Sequence, residues 1–395
     1  MATKTICFGF DGITVDTSFI IPDLPKYSSE LIIKYPFLEP IFKLLLAEQP
    51  EDCELQFEST EFGFETFFDC IFALGEICQE KTTYIGANAA IETSTAMNLL
   101  KDPVDPIDYT KVYFLGNYSE EVSQKLPKAQ RIASVFLEHA NIVKTSYIPI
   151  SIIIPYKERR GIISFGGIPA IRRVESLRTY LRNLVDIVNK INPDFMSMVG
   201  INNVFATTTD YDDFKLFDPF LNLQYSSVDL GGTVGWGYDR LRHVYQVLDK
   251  AKMVIGNDDE FKAWYNFKFR ENIHDLDPLT IFKMVSKLRR EDQIAVCHTQ
   301  YYQFVMGFDE NKEVVRDCMN FANKATVVKT EMNEFPTARQ VKETSLIKKS
   351  ITLPALLEAN AIATRSIDKE IINPVGLGDV WSCTFNIGLL SQNIL

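Results

Sequence analysis

The chain has 395 residues, 46% of them hydrophobic and 24% charged. That is too long for a mini-protein and too apolar for a disordered chain, and it predicts two domains, or one large domain with an appendage. Forty-one Lys+Arg against 52 Asp+Glu leave a formal net charge of -11, which speaks against a nucleic-acid partner held by a basic face.

In chain order, the first apolar run (residues 5–10) reads as a strand rather than an export segment. It is followed by Gly9-Phe10-Asp11-Gly12-Ile13-Thr14-Val15-Asp16. An acid just past the C-terminal end of a strand is where open α/β sheets bind ligands, and either Asp serves equally well as a turn cap. Phe67, Phe68, Ile71, Phe72, Leu74 and Ile77 are spaced as a helical stripe. Gly86-Ala87-Asn88-Ala89-Ala90 then opens a further helix through Met97 and Leu100. Its small residues suit either close approach of a sugar or a packing constraint.

A second strand is expected at 112–115. Residues 147–156 and 161–165 are β-rich around Lys157-Glu158-Arg159-Arg160, which predicts a hairpin with a charged turn. Val174, Leu177, Leu181, Leu184, Val185, Val188 and Ile191 line one helical face. Further strands are expected at 195–199, 252–255 and 293–296, and a helix at 278–290. Short strands that are apolar on both faces, alternating with helices, predict a mostly parallel sheet covered on both sides. Gly231-Gly232-Thr233-Val234-Gly235-Trp236-Gly237 holds no GxGxxG in register, so a dinucleotide fingerprint is not supported. The seven cysteines form no CxxC pair and read as buried thiols of a reducing, cytoplasmic compartment. No apolar window is long enough for a membrane span.

Two late segments carry chemistry. In Gly256-Asn257-Asp258-Asp259-Glu260, Asn257 and Glu260 have the spacing of a capping box; a carboxylate there also suits the waters of Mg²⁺ near phosphates. In Asn373-Pro374-Val375-Gly376-Leu377-Gly378-Asp379, two glycines and an Asp precede a helix. Glycines let backbone N–H groups converge at a helix start as an anion hole, with Asp379 beside it as a base. The plainer reading, a Gly-rich turn with Asp as N-cap, stands beside it.

Strand-end acid, amide loop, Asn-x-x-Glu and Gly-x-Gly-Asp occur here in the order found in the ribokinase-like fold. With Leu377 between the glycines and with Val296-Cys297-His298-Thr299, the chain resembles the ADP-dependent sugar kinases (glucokinase and phosphofructokinase). The resemblance implies an α/β fold: a ribokinase-like three-layer sandwich with a mostly parallel central sheet and a smaller β-containing lid. We expect the lid at 16–35 and 140–175, and the large nucleotide-binding domain at 1–15, 36–139 and 176–395. It implies phosphoryl transfer from ADP (or ATP), with Mg²⁺, to a sugar or sugar phosphate, as in carbohydrate metabolism and glycolysis. The implied catalytic set is Asp379 with Gly376 and Gly378. Asn257, His298, Val375 and Leu377 would line the nucleotide, Asp16, Asn88 and Gly86 the sugar, and Glu260 would serve the metal. No nucleic acid or membrane partner is expected, and the chain would be a monomer or small homo-oligomer.

The departures from the family pattern are specific. Thr14-Val15-Asp16 keeps the acid of an Asn-x-Asp segment without its amide, and Gly86-Ala87-Asn88 has lost one glycine. The best match to a His-x-Glu segment, Asn222-Leu223-Gln224, lacks both functional groups. An ATP-dependent sugar or nucleoside kinase, and a non-catalytic ligand-binding protein on the same fold, therefore stay open.

Overall fold

The computed structural model describes residues 4–48, 53–57, 64–101, 110–142, 150–157, 159–165, 174–201, 213–231, 238–274, 277–299, 302–308, 310–332, 334–345, 362–365 and 376–395. The strands are β1 (Lys4–Phe10), β2 (Thr14–Ile20), β3 (Cys53–Phe57), β4 (Glu80–Gly86), β5 (Thr110–Phe114), β6 (Asn117–Tyr118), β7 (Asn141–Ile142), β8 (Ile150–Tyr156), β9 (Arg159–Phe165), β10 (Phe195–Val199), β11 (Ser226–Asp229), β12 (Met253–Gly256), β13 (Ile294–His298), β14 (Tyr302–Met306) and β15 (Ile362–Arg365).

Eight strands form the main sheet in the order β15-β14-β13-β12-β11-β10-β1-β5. From β5 to β13 all neighbours are parallel; β14 and β15 are antiparallel. Period-two alternation sends side chains into two separate cores. Met196 and Met198 of β10, Val254 of β12, and Ala295 and Cys297 of β13 enter one core. Phe195, Val199, Met253, Ile255 and Val296 enter the other. Helices Val174–Ile191, Tyr238–Lys250, Asp258–Phe269 and Pro278–Leu288 cover the first face, and Asn88–Lys101, Lys312–Met332 and Leu377–Ser391 the second. The three layers match the sequence expectation. The five predicted parallel strands all lie in this sheet, and helix Val174–Ile191 has the predicted ends.

The second sheet has the order β3-β9-β8-β2-β4. The predicted hairpin is its β8–β9 pair, with Lys157 at φ 53 in the turn. Its extent corrects the sequence reading. Strands β3 and β4 and helices Glu39–Leu45 and Phe64–Ile77 belong to this sheet and its apolar cluster, with Ile41, Phe42, Phe67 and Leu74 buried there. The sequence reading had put 36–139 in the large unit. A five-stranded sheet needs several helices to bury one face, so a lid of 16–35 and 140–175 is too small. The predicted stripe on Phe64–Ile77 is also corrected: Phe68 and Phe72 are exposed, and Cys70 is buried in their place. On this same helix Gly75 is exposed, and an added Cβ would meet only Phe19 Cε1 at 4.0 Å. Gly75→Ala should therefore stabilise the protein by about 0.5–1 kcal/mol, read from urea denaturation. Among the described residues, no helix is long and apolar enough to cross a membrane, and Cys7, Cys70, Cys78, Cys297, Cys318 and Cys383 are free, all but Cys78 buried.

Candidate functional site

The chemistry-bearing residues gather at the C-terminal ends of β1, β10, β11, β12 and β13. Gly376 takes φ 69 and starts helix Leu377–Ser391, and Gly376 C=O accepts from Val380 N–H at 3.0 Å. This left-handed position suits glycine, which has no Cβ to clash. The helix is buried on all sides from Val380 to Leu390, as expected for an apolar helix held inside the protein. Asp379 lies in its first turn and keeps part of its surface open to solvent. Burial, then repulsion from Asp229, pushes its carboxyl well above the usual carboxylate range, while Arg160 opposes this.

His298 ends β13 beside this turn. A Cβ on Gly378 would stand 3.1 Å from His298 Cε1, so the second glycine lets the imidazole pack against the helix start. The ring stacks on Trp381, centroids 5.3 Å apart. Burial pushes its pKa down to about 4, leaving it neutral at pH 7. Trp381 Nε1 donates to Asn323 Oδ1 (2.7 Å), Asn323 Nδ2 to Gln303 Oε1 (3.0 Å), and Gln303 Nε2 to Thr299 C=O (2.8 Å). This chain of bonds fixes the segment after His298 relative to the helix. Leu377 is described at the helix start; Val375 lies outside the described residues.

Asp229, missed in the sequence reading, ends β11 between these groups. It accepts from Ser382 Oγ (3.1 Å) and Gly231 N–H (3.1 Å), and burial raises its pKa to about 6. β11 thus ends in Ser227-Val228-Asp229, beside β12, the strand that leads to the Asn-x-x-Glu helix. The available signal was an acid closing a short run just before a glycine pair.

Asp11 is also more central than Asp16. It is fully buried. Its Oδ2 accepts from Asn88 N–H (2.9 Å) and its Oδ1 from Ala89 N–H (3.0 Å), so it caps helix Asn88–Lys101 across the sheet. The predicted amide loop is therefore tied to β1 through its backbone. Asp16 lies on β2 of the smaller sheet, receives Thr14 Oγ1 at 2.7 Å, and packs over Gly86, where a Cβ would overlap its carboxylate. In register with Asp16 stand Tyr84, Ser151 and Ser164, the two serine hydroxyls 3.0 Å apart. Asp16, Gly86 and Asn88 are brought together, backed by a row of hydroxyls that sequence reasoning missed because alternation hides among isoleucines.

Asn257 and Glu260 form the predicted capping box: Glu260 N–H donates to Asn257 Oδ1 (2.9 Å) and Asn257 N–H to Glu260 Oε2 (2.7 Å). Beside them Asp259 receives Arg159 Nη1 at 2.5 Å and Lys262 Nζ at 2.9 Å. The charged β8–β9 turn thus reaches over the ends of the main-sheet strands, Arg159 to Asp259 and Arg160 toward Asp379. Arg172 and Arg173 lie outside the described residues. No group of three or more His, Cys, Asp or Glu among the described residues is arranged to hold a metal ion alone.

No protein-family model matches the sequence, and no curated protein does. Solved structures match over nearly the whole chain. A phosphofructokinase from Pyrococcus horikoshii OT3 with AMP gives a TM-score of 0.63 at 12% identity, covering 99% of this chain and 98% of that one. An ADP-dependent kinase in complex with fructose-6-phosphate and ADPβS gives 0.64 at 13% identity, covering 99% and 94%. Adenosine kinase from Anopheles gambiae, in complex with P1,P4-di(adenosine-5) tetraphosphate, gives 0.53 at 12% identity, covering 99% and 89%. The chain has the ribokinase-like fold, in the arrangement seen in ADP-dependent phosphofructokinases.

Proposed function

We propose that the protein transfers a phosphoryl group from a nucleotide, ADP by its resemblance, to a hydroxyl of a sugar or sugar phosphate. The observation that carries this reading is the helix start at residues 376–379. A left-handed Gly376 and a bare Gly378 leave backbone N–H groups at the positive end of a buried helix, in the same turn as the Asp379 carboxylate. A helix N-terminus is matched to a phosphate, and its amides need no reorganisation as charge builds on the transferring group.

In this reading Asp379 takes the proton of the acceptor hydroxyl as that oxygen attacks phosphorus. Its raised affinity for a proton, set by burial and by Asp229, suits it to that task. Asp16 and Asn88 hold the acceptor's hydroxyls, with Gly86 leaving room for the Asp16 carboxylate. His298, Leu377 and Asn257 line the nucleotide, and the neutral imidazole adds no charge there. Arg160, whose charge already bears on Asp379, meets the negative phosphoryl group. The smaller sheet covers the cleft and excludes water, which would otherwise accept the phosphoryl group.

The donor set fits Mg²⁺ of the kind that keeps most of its waters and rests on substrate phosphates rather than in a protein cage. Glu260, in the first turn of its helix with Asp258 and Asp259, would orient those waters. When bound, the ion neutralises charge on the phosphate oxygens.

A thermal-shift screen of ADP, ATP and AMP, each with a panel of sugars and sugar phosphates, tests this function. A ligand at 100 times its Kd stabilises by about 2.7 kcal/mol, so a bound nucleotide raises Tm visibly. The expected result is the largest shift with ADP, increased by one class of acceptor. A larger shift with ATP than with ADP selects the ATP-dependent alternative, and no shift with any nucleotide removes the kinase reading.

A further inference from the structure

Glu92 has no role in the scheme above. It lies one turn into helix Asn88–Lys101, is fully buried, and neither of its carboxyl oxygens has a hydrogen-bond partner among the described residues. It faces helix Leu377–Ser391, where Cys383 Sγ reaches the Glu92 backbone oxygen at 3.2 Å. From β10 the Ser197 hydroxyl is a polar neighbour that favours the ionised form, itself receiving Ser227 Oγ at 3.4 Å. The charged groups among the described residues that bear most on it are acidic: Asp229 from β11, Asp379 from the facing helix and Asp11 from the end of β1.

These four carboxyls are not equally compensated. Asp11 has two backbone N–H donors, Asp229 has a backbone N–H and the Ser382 hydroxyl, and Asp379 has the Arg160 charge. Among the described residues Glu92 has no hydrogen-bond partner for either carboxyl oxygen, and the Ser197 hydroxyl favours its ionised form less than burial and Asp229 oppose it. Four carboxyls that repel one another inside the protein do not all ionise, and the proton stays where donors are fewest.

We propose that Glu92 holds a proton at neutral pH and, as a neutral carboxyl, is the positioning residue that lets Asp379 carry the negative charge of the transfer site. Burial and then Asp229 push its proton affinity up, in agreement. The protonation of Glu92 stands on the cluster alone; its bearing on turnover rests on the proposed kinase function.

The test uses the full chain as wild type, Glu92→Gln and Glu92→Met. An unfolded Glu carboxyl titrates near about 4.3, and in the folded protein its pKa is raised. Glu92 therefore weighs against folding as pH rises from that value toward its folded pKa. Both variants remove this penalty. Their unfolding constants should match wild type to within a fixed offset below about pH 4, then improve by about tenfold per pH unit above it until Glu92 ionises in the folded protein. Difference infrared spectra of wild type against Glu92→Gln should show the carbonyl stretch of a protonated carboxyl at neutral pH.

In kinetics, wild-type kcat/KM should fall at alkaline pH as a second negative charge appears beside Asp379, and Glu92→Gln should lose that limb. A fixed stability offset at every pH, together with no carbonyl band, overturns the proposal. If the stability and infrared results appear but the two pH profiles have the same shape, the positioning role is overturned. If no nucleotide and acceptor give turnover, the kinase reading fails, while stability and infrared still decide whether Glu92 holds the proton.

Discussion

Asp379→Asn should lower kcat by about 10²–10⁴-fold, the contribution typical of a positioned base, while leaving nucleotide binding nearly intact. The carboxylate shares its helix turn with the amide cradle, so the change removes a proton acceptor without removing a backbone donor. Asn is close to Asp in size, and at a part-open position beside Asp229 it relieves repulsion between acids. Folding stability should therefore hold or rise. Initial-rate measurements with thermal shifts by ADP check both halves. A variant that keeps more than about a tenth of wild-type kcat contradicts the role as base.

The second large effect is on folding. Gly200, just after β10, has φ 69, and a Cβ there would stand 2.4 Å from Asp11 Oδ2. Gly200→Ala meets two costs: a left-handed backbone for an L side chain, roughly 1–2 kcal/mol, and overpacking against a buried carboxylate, typically about 1–3 kcal/mol. Asp11 cannot yield without releasing the Asn88 and Ala89 N–H groups it caps. Urea denaturation should show a loss of about 2–5 kcal/mol. A loss under about 1 kcal/mol, below the backbone term alone, would mean that Asp11 is not held as described.

The parallel strands were legible because each is short and apolar on both faces, the mark of a sheet covered by helices. β11 was not, since Ser226-Ser227-Val228-Asp229 is mostly polar. Both serines are buried, and Ser227 lies against other polar groups, receiving Asn386 Nδ2 at 3.4 Å and donating to Ser197. The lid was underestimated because helix Phe64–Ile77 carries phenylalanines on more than its buried face, with Phe72 68% exposed. The Gly-x-Gly-Asp turn and the capping box were readable as local motifs. The carboxyl cluster was not, because Asp11, Glu92, Asp229 and Asp379 come from four distant segments that meet only when β1, β10 and β11 pair and two helices pack on them. In the sequence Glu92 reads as an ordinary polar position in Ile91-Glu92-Thr93-Ser94-Thr95, yet all five residues are buried.

The most direct measurement follows label from the β-phosphate of ADP into fructose 6-phosphate, other sugar phosphates and free sugars, with Mg²⁺ present. The account predicts labelled acceptor and AMP in equal amounts from wild type, and only trace label from Asp379→Asn. If wild type binds nucleotide yet yields no labelled product from ADP, and none from γ-labelled ATP with any acceptor, phosphoryl transfer at this helix start is contradicted.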